Sequence, residues 1–307
     1  MEIRDLYREV APFIVSLTFY EKDKGEFFFK GSGSGFLTGD GYLVTNFHVM
    51  EKVLLAAQQP DKCLLRVGYF SEIRGNLPIF SKIDFLGEDI KTWITGCDSS
   101  ERVNDFIILN TKLEVRNNQK EIKKIDFLTD DVAYIGQKVC IFGYPFGKEN
   151  LSMNQGIISS IYERCGVKVF QIDGIVNNGN SGGPLIDVDT GKVIGIVSRK
   201  EDGLNELFKQ LKATIEKNIE IAHNASQMGG VVVCGISHTE AIEKTFIAIR
   251  ELIDHIERSA NVGIGYAFSL NKIIEDLKQL RIDDEPNKES TPHSTINQTH
   301  PQQNEQV

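Results

Sequence analysis

Between residues 11 and 198, short runs of apolar, β-branched and aromatic residues (13–19, 41–44, 64–70, 105–110, 138–143, 167–172 and 192–197) alternate with clusters of Gly, Asn and Asp. Runs this brief are too short for helices, and the residues between them are those that let a chain reverse. No regular strand–helix alternation of about 30 residues is present, which argues against a parallel α/β sheet. A mainly β domain, barrel or sandwich, is expected. The period then changes. Leu204, Leu207, Leu211, Ile215, Ile219 and Ala222 recur every three or four residues, and Ile242, Phe246, Ile249, Ile253 and Ile256 form a second such stripe. Ser237 and Glu240 stand as a capping box before it. With Met228-Gly229-Gly230-Val231-Val232-Val233-Cys234-Gly235 between them, the two stripes predict a helical hairpin with an apolar tip.

Ile3, Leu6, Tyr7 and Val10 predict a short N-terminal helix over residues 1–10. After Asn261 the strand-like Gly263-Ile264-Gly265-Tyr266-Ala267-Phe268 is followed by an amphipathic helix to about Leu280. The expected organisation is a helix at 1–10, a domain formed by 11–201 and 262–281, an inserted hairpin at 202–261, and a disordered tail at 282–307 rich in Pro, Asn, Gln and Ser.

A formal net charge of −9 excludes a global basic field for nucleic acid. No apolar run approaches the roughly 18 residues that span a bilayer. The start, Met1-Glu2-Ile3-Arg4-Asp5, lacks the basic-then-apolar order of a secretory signal. Cys63, Cys97, Cys140, Cys165 and Cys234 are odd in number, scattered, and without a C-x-x-C pair, so a reduced, cytoplasmic setting is expected. The histidines and cysteines show no metal-ligand spacing, and neither metal nor cofactor is expected. Gly31-Ser32-Gly33-Ser34-Gly35 has no following Lys-Ser/Thr and is not a phosphate loop. Glu21-Lys22-Asp23-Lys24 is read as the solvated end of a hairpin.

The most informative segment is Asn178-Gly179-Asn180-Ser181-Gly182-Gly183-Pro184-Leu185. Glycines on both sides of a serine let the backbone turn sharply around its hydroxyl, and the N–H groups of Gly179 and Ser181 can converge as an oxyanion hole. The alternative is a plain β-turn. A serine nucleophile needs a base, and the base needs an acid to fix its tautomer. His48, in Leu43-Val44-Thr45-Asn46-Phe47-His48-Val49, sits at the end of an apolar strand, whereas the other histidines sit in or beside the helical insert and the tail. Asp105 leads into Phe106-Ile107-Ile108-Leu109, where a partly buried carboxylate needs a donor. Asp89 and Asp98 are the other acid candidates, and neither leads into such a strand.

With these motifs in place, the chain resembles the trypsin-like serine peptidases, and within them the protease domain of the HtrA (Deg) family. Gly31 to Leu37 followed by Gly41 to Val49 is similar to that family's glycine turn and catalytic-histidine strand. Asp105 to Leu109 is similar to its aspartate strand, and Gly179 to Leu185 to its nucleophile motif. Phe142-Gly143-Tyr144-Pro145, Gln155-Gly156-Ile157 and Gly263-Ile264-Gly265-Tyr266-Ala267 resemble further strand signatures. The resemblance implies two antiparallel six-stranded β-barrels with the helical hairpin inserted. His48, Asp105 and Ser181 would form a catalytic triad in the cleft between the barrels. It implies a primary pocket lined by Ile175 and Val176 and narrowed by Ile264, suited to small or medium aliphatic side chains. Ser198, Arg199 and Lys200 would pair with the substrate backbone, although two basic residues there depart from the family pattern.

Asn180 stands where digestive relatives carry an aspartate that pairs with a new N-terminus, so control by loop rearrangement is implied instead. The chain also departs from the family in having no room after Leu280 for a PDZ domain, and in the 60-residue insertion itself. That insertion is a candidate gate or docking site for a regulatory protein. The expected activity is that of a serine endopeptidase acting on polypeptides, with a homo-oligomer possible. A weakly catalytic peptide-binding or sensor module within a larger assembly is the alternative.

Overall fold

The computed structural model describes residues 2–74, 77–98, 104–113, 125–128, 132–200, 206–229, 232–233, 236–259 and 263–284. Helix α1 (Ile3–Val10) buries Leu6 and Val10. Strands β1 (Ile14–Asp23) and β2 (Glu26–Leu37) form a hairpin turned by Lys24 and Gly25, both at positive φ, the geometry that matches strand twist. The chain continues through β3 (Tyr42–Thr45), α2 (Phe47–Ala56), β4 (Cys63–Arg74), β5 (Leu77–Leu86), α3 (Gly87–Lys91), β6 (Ile94–Asp98) and β7 (Phe106–Asn110). The strands of this half form one antiparallel sheet in the order β5-β4-β1-β2-β3-β7-β6.

The second half comprises β8 (Lys138–Gly143), β9 (Ser152–Arg164), β10 (Val167–Asp173), β11 (Pro184–Asp187) and β12 (Val193–Lys200). The insertion follows as α4 (Glu206–Gln227), a minute ribbon of β13 (Val232–Val233) and β14 (Ile236–Ser237), and α5 (His238–Ser259). Then β15 (Ile264–Ser269) closes a six-stranded barrel in the order β10-β15-β12-β11-β8-β9, and α6 (Asn271–Asp284) ends the described chain.

The mainly β architecture expected from sequence is present, with two differences of detail. The second half is the expected closed six-stranded barrel, whereas the first is a seven-stranded sheet whose ladder ends at β5 and β6 among the described residues. The run read at 64–70 is one arm of a longer hairpin. Its second arm, β5, is broken by Ser81, Lys82 and Asp84 and lacks the uninterrupted apolar signal of a buried strand. The final helix also runs to Asp284, slightly past the boundary read from composition. Residues 285–307, where the disordered tail was expected, lie outside the described residues.

The two halves share one core. Phe36, Tyr42, Phe106 and Ile108 from the sheet meet Phe142, Tyr144, Ile196 and Phe268 from the barrel. A second cluster fixes α2, whose Met50 and Val53 are fully buried beside Leu17, Leu65 and Trp93. Each such side chain contributes about 1.5–3 kcal/mol, so the short helix that carries His48 is held by packing rather than by propensity. Gly33 serves the same contact, since a Cβ there would meet Val49 of α2, while one at Gly35 would meet Leu43 of β3. Among the described residues no helix is long and apolar enough to cross a membrane.

In the insertion, α4 and α5 pack antiparallel on each other through Ile215, Ala222 and Ile253. Lys212–Asp254 (2.7 Å) and His223–Glu243 (2.9 Å) bridge them. Ser237 Oγ accepts from the N–H of Glu240, half of the expected capping box, while the Glu240 carboxylate pairs with Lys244. The single stripe read on each helix is in fact split. Only some of its members face the other helix, and Leu211, Ile242, Ile249 and Ile256 remain exposed.

Candidate active site

His48 lies in the first turn of α2, three residues beyond the end of β3, rather than at the end of a strand as expected from sequence. Asn46 precedes it in extended conformation, and its Nδ2 donates to the carbonyl of Asp105 (2.7 Å). This cross-strand tie brings the start of α2 against the start of β7. Asp105 itself has φ 39°, a left-handed conformation that aspartate tolerates better than bulkier residues. Its side chain is almost wholly buried and accepts three hydrogen bonds. His48 N–H donates to Oδ1 (3.1 Å), while His48 Nδ1 (2.7 Å) and Ser198 Oγ (2.8 Å) meet Oδ2. Three donors offset the desolvation of the acid. With Nδ1–H given to Asp105, the lone pair of the neutral ring is at Nε2.

Ser181 follows the turn that its glycines allow. Gly179 (φ 98°) and Gly182 (φ 86°) are both left-handed. A Cβ on Gly179 would collide with the carbonyl of Tyr144, and one on Gly182 with Ser34 O and Thr45 Oγ1. The Asn178 carbonyl accepts from Phe146 N–H (2.6 Å). Because the peptide is planar and trans, the Gly179 N–H points the opposite way. Neither the Gly179 nor the Ser181 N–H has a partner among the described residues. Both residues line a cleft of about 210 Å³ together with His48, Val49, Lys30 and Asn178.

The hydroxyl of Ser181 donates to the carbonyl of Ser198 (2.7 Å). A polar chain thus runs from Ser181 through Ser198 to Asp105 and back to His48. The direct Ser181–His48 hydrogen bond is not made in this arrangement. Nucleophile–base contacts commonly tighten only with substrate. The set of a half-buried hydroxyl at a cleft, an imidazole fixed by a buried acid and two N–H groups without partners among the described residues is equipped for acyl transfer.

The model of the trypsin-like peptidase domain matches residues 33–196, more than half of the chain. The chain belongs to the trypsin-like peptidase family. Among its relatives, the chloroplastic protease Do-like 8 of Arabidopsis thaliana is 30% identical over 52% of this chain and 33% of its own length. The serine protease Do-like HtrA of Bacillus subtilis is 25% identical over 65% of this chain and 43% of its own. A crystal structure of Deg5 aligns over 64% of this chain and 83% of that one, with 25% identity and a TM-score of 0.46. The match therefore spans less than half the length of these two curated relatives.

Within this trypsin-like peptidase, the residues read for the specificity pocket are dispersed. Val176 is buried in the barrel core with Phe170 and Ile172, whereas its neighbour Ile175 is exposed, so the two do not share a wall. Ile264 is partly buried on β15, opposite Asp173. Arg199 and Lys200 pair with Tyr266 and Gly265 in the barrel ladder, and their side chains lie outside the described residues. Ser198 has a role that local sequence did not suggest, since its hydroxyl holds Asp105.

Sequence reasoning missed Ser34 altogether. Its fully buried Oγ donates to Gly179 O (2.6 Å) and accepts from Tyr144 N–H (2.8 Å), and its N–H donates to Ser181 O (2.8 Å). It pins the nucleophile turn to both halves of the molecule. The signal was present: a serine between strand glycines, where a small polar group can meet another backbone. Burial pushes the phenol of Tyr144 well above its usual range, with Tyr7 adding to the effect, so the ring stays neutral beside this turn. Asn180, adjacent to Ser181, is fully buried, and neither its Oδ1 nor its Nδ2 has a partner among the described residues.

Proposed function

We propose that this trypsin-like peptidase is a serine endopeptidase of the HtrA type, with Ser181 as nucleophile, His48 as general base and Asp105 as the acid that orients it. Ser181 Oγ turns from Ser198 O to His48 Nε2 and gives up its proton as it attacks the scissile carbonyl. The oxyanion forms against the N–H groups of Gly179 and Ser181. The imidazolium, held by Asp105, then protonates the leaving amine, and the acyl-enzyme is hydrolysed by a water that His48 activates in the same manner. The observation that carries this reading is that His48, held by the buried Asp105, and Ser181 line one cleft, with Ser198 joining them through its carbonyl to Ser181 and its hydroxyl to Asp105.

Polypeptides are the substrates, taken as an added strand along β12. Ile175, Val176 and Ile264 favour Val, Ala or Leu before the cut, once the turn has rearranged to bring Val176 to a pocket wall. Such a rearrangement has an energetic motive in Asn180, because an orphaned buried amide costs about 1–3 kcal/mol for each unmet group. A reduced compartment suits the unpaired Cys63, Cys140 and Cys165.

A second reading, a peptide-binding module with little turnover, has one observation in its favour: the Ser181 hydroxyl rests on Ser198 O rather than on His48. A fluorophosphonate probe separates the two. The wild type labels, while Ser181→Ala and His48→Ala do not, and a peptide library then gives cleavage after small aliphatic residues. Labelling of Ser181→Ala at the wild-type rate, or a wild type that neither labels nor cleaves with or without cell extract, overturns the endopeptidase.

A further inference from the structure

The insertion has one face that its own packing leaves open. On α4 the residues Leu211, Thr214, Asn218, Ile221 and Ala225 are spaced 3, 4, 3, 4, and Met228 continues the series beyond the helix end. On α5, Ile242, Thr245, Ile249, Leu252 and Ile256 repeat the same spacing. This is the heptad rhythm of a helix–helix seam, and it contains no charged residue. It is distinct from the seam through Ile215, Ala222 and Ile253 that holds the hairpin together. Because the helices are antiparallel, both open seams project from the same side of the pair. Ile221, Ile242 and Leu252 are each more than half exposed there. Thr214 and Thr245 donate their hydroxyls to Gln210 O and Ala241 O of their own helices (2.8 Å each), so neither needs an outside partner.

Symmetry identifies the occupant. The Lys212–Asp254 and His223–Glu243 bridges set the register of the pair, and they place Asn218 level with Ala248 and Ile249. Asn218 is the midpoint of the seam from Leu211 to Ala225, and Ile249 is the midpoint of the seam from Ile242 to Ile256. The two midpoints therefore lie on one line across the hairpin. A two-fold axis along that line stacks each helix antiparallel on its own mate and brings Asn218 against Asn218 of the second copy. A lone Asn in an apolar seam is the device that fixes register in such bundles, and the Asn218 amide has no hydrogen-bond partner among the described residues.

Helices of 22 residues are about 33 Å long, and two of them side by side offer a footprint of roughly 650 Å². With the relief of the side chains this approaches the roughly 800 Å² per partner of a standard stable interface. We propose that the docking role expected of the insertion is self-association: two copies of the chain join through these faces into a four-helix bundle, with Asn218 on the two-fold axis.

The test needs no catalytic activity. Light scattering at about 50 μM should give twice the chain mass of 34.4 kDa for the wild type. Ile249→Asp and Ile249→Lys place like charges against each other at the axis, so each alone should scatter as a monomer with unchanged helical circular dichroism. Their equal mixture should recover the dimer, which a folding defect would not allow. In a Cys165→Ser background, Asn218→Cys should form an intermolecular disulfide under mild oxidation at least tenfold faster than Ile221→Cys, whose mates are offset along the bundle beyond bridging distance. A monomeric wild type, an assembly whose mass both charge variants leave unchanged, a mixture that stays monomeric, or equal cross-linking at 218 and 221 each overturns the proposal.

Discussion

Replacing Ser34 with alanine tests whether the nucleophile turn is held from a distance. The change removes one hydroxyl, but that hydroxyl has two partners, the buried Gly179 carbonyl and the buried Tyr144 N–H. Each group left unmet costs about 1–3 kcal/mol, so the loss should be about 2–6 kcal/mol. Against a usual domain stability of about 5–15 kcal/mol this is large, and the urea midpoint should fall by roughly 1–2 M. Ser159→Ala is the control, since Ser159 Oγ makes one hydrogen bond, to Gln171 O (3.2 Å), within the barrel. It should cost about 1 kcal/mol and leave labelling unchanged. For Ser34→Ala, fluorophosphonate labelling of Ser181 should slow at least tenfold in buffer where the variant is still folded. The Gly179 peptide loses the bond that fixes its direction, and with it the aim of its N–H. Wild-type midpoint and wild-type labelling together would refute the assignment of Ser34 as the anchor.

Three further outcomes are expected. Gly182→Ala should destabilise by about 3 kcal/mol or more, because its Cβ meets Ser34 O and Thr45 Oγ1 at a left-handed φ. Gly136→Ala, at a similar φ but in open space, should cost only about 1–2 kcal/mol, and equal unfolding midpoints for the two would show that the close approach is not what requires glycine at 182. Burial pushes the thiols of Cys63 and Cys140 up to about 11, Glu21 adding to the effect at Cys63, while Cys165 is exposed. Iodoacetamide at pH 8 should therefore modify Cys165 and spare the other two in peptide-resolved mass spectrometry. The folded state keeps these two protons where the unfolded chain has begun to lose them. Their contribution to stability is thus present below the ordinary thiol range and lost as pH rises toward 11. An unfolding midpoint that stays flat across that window would contradict the burial of both thiols.

Local pattern was enough to define much of this protein. Short β runs with turn residues between them, the change of period after residue 200, and the glycine-flanked Ser181 are properties of neighbouring residues, and neighbours decide strand, helix and turn. Of the residues singled out for chemistry, His48 and Ser181 line one cleft and Asp105 is buried behind His48, each at an element end that the sheet and barrel bring together. Strand β5 was hidden because Ser81, Lys82 and Asp84 interrupt its apolar residues, and β2 and β6 were likewise absent from the apolar runs read as strands. The helix beginning at Phe47 was hidden because β-branched and aromatic residues there resemble a continuing strand.

Only the tertiary structure could decide the contacts that cross the molecule. Ser34 reaches Gly179 across 145 residues, and Ser198 reaches Asp105 across 93. A hydroxyl's partner at that separation depends on how two halves dock, which no local period encodes. The same holds for the insertion. Both helices read as having one apolar stripe, yet each has two, and which of them is covered was settled only when the helices packed against each other.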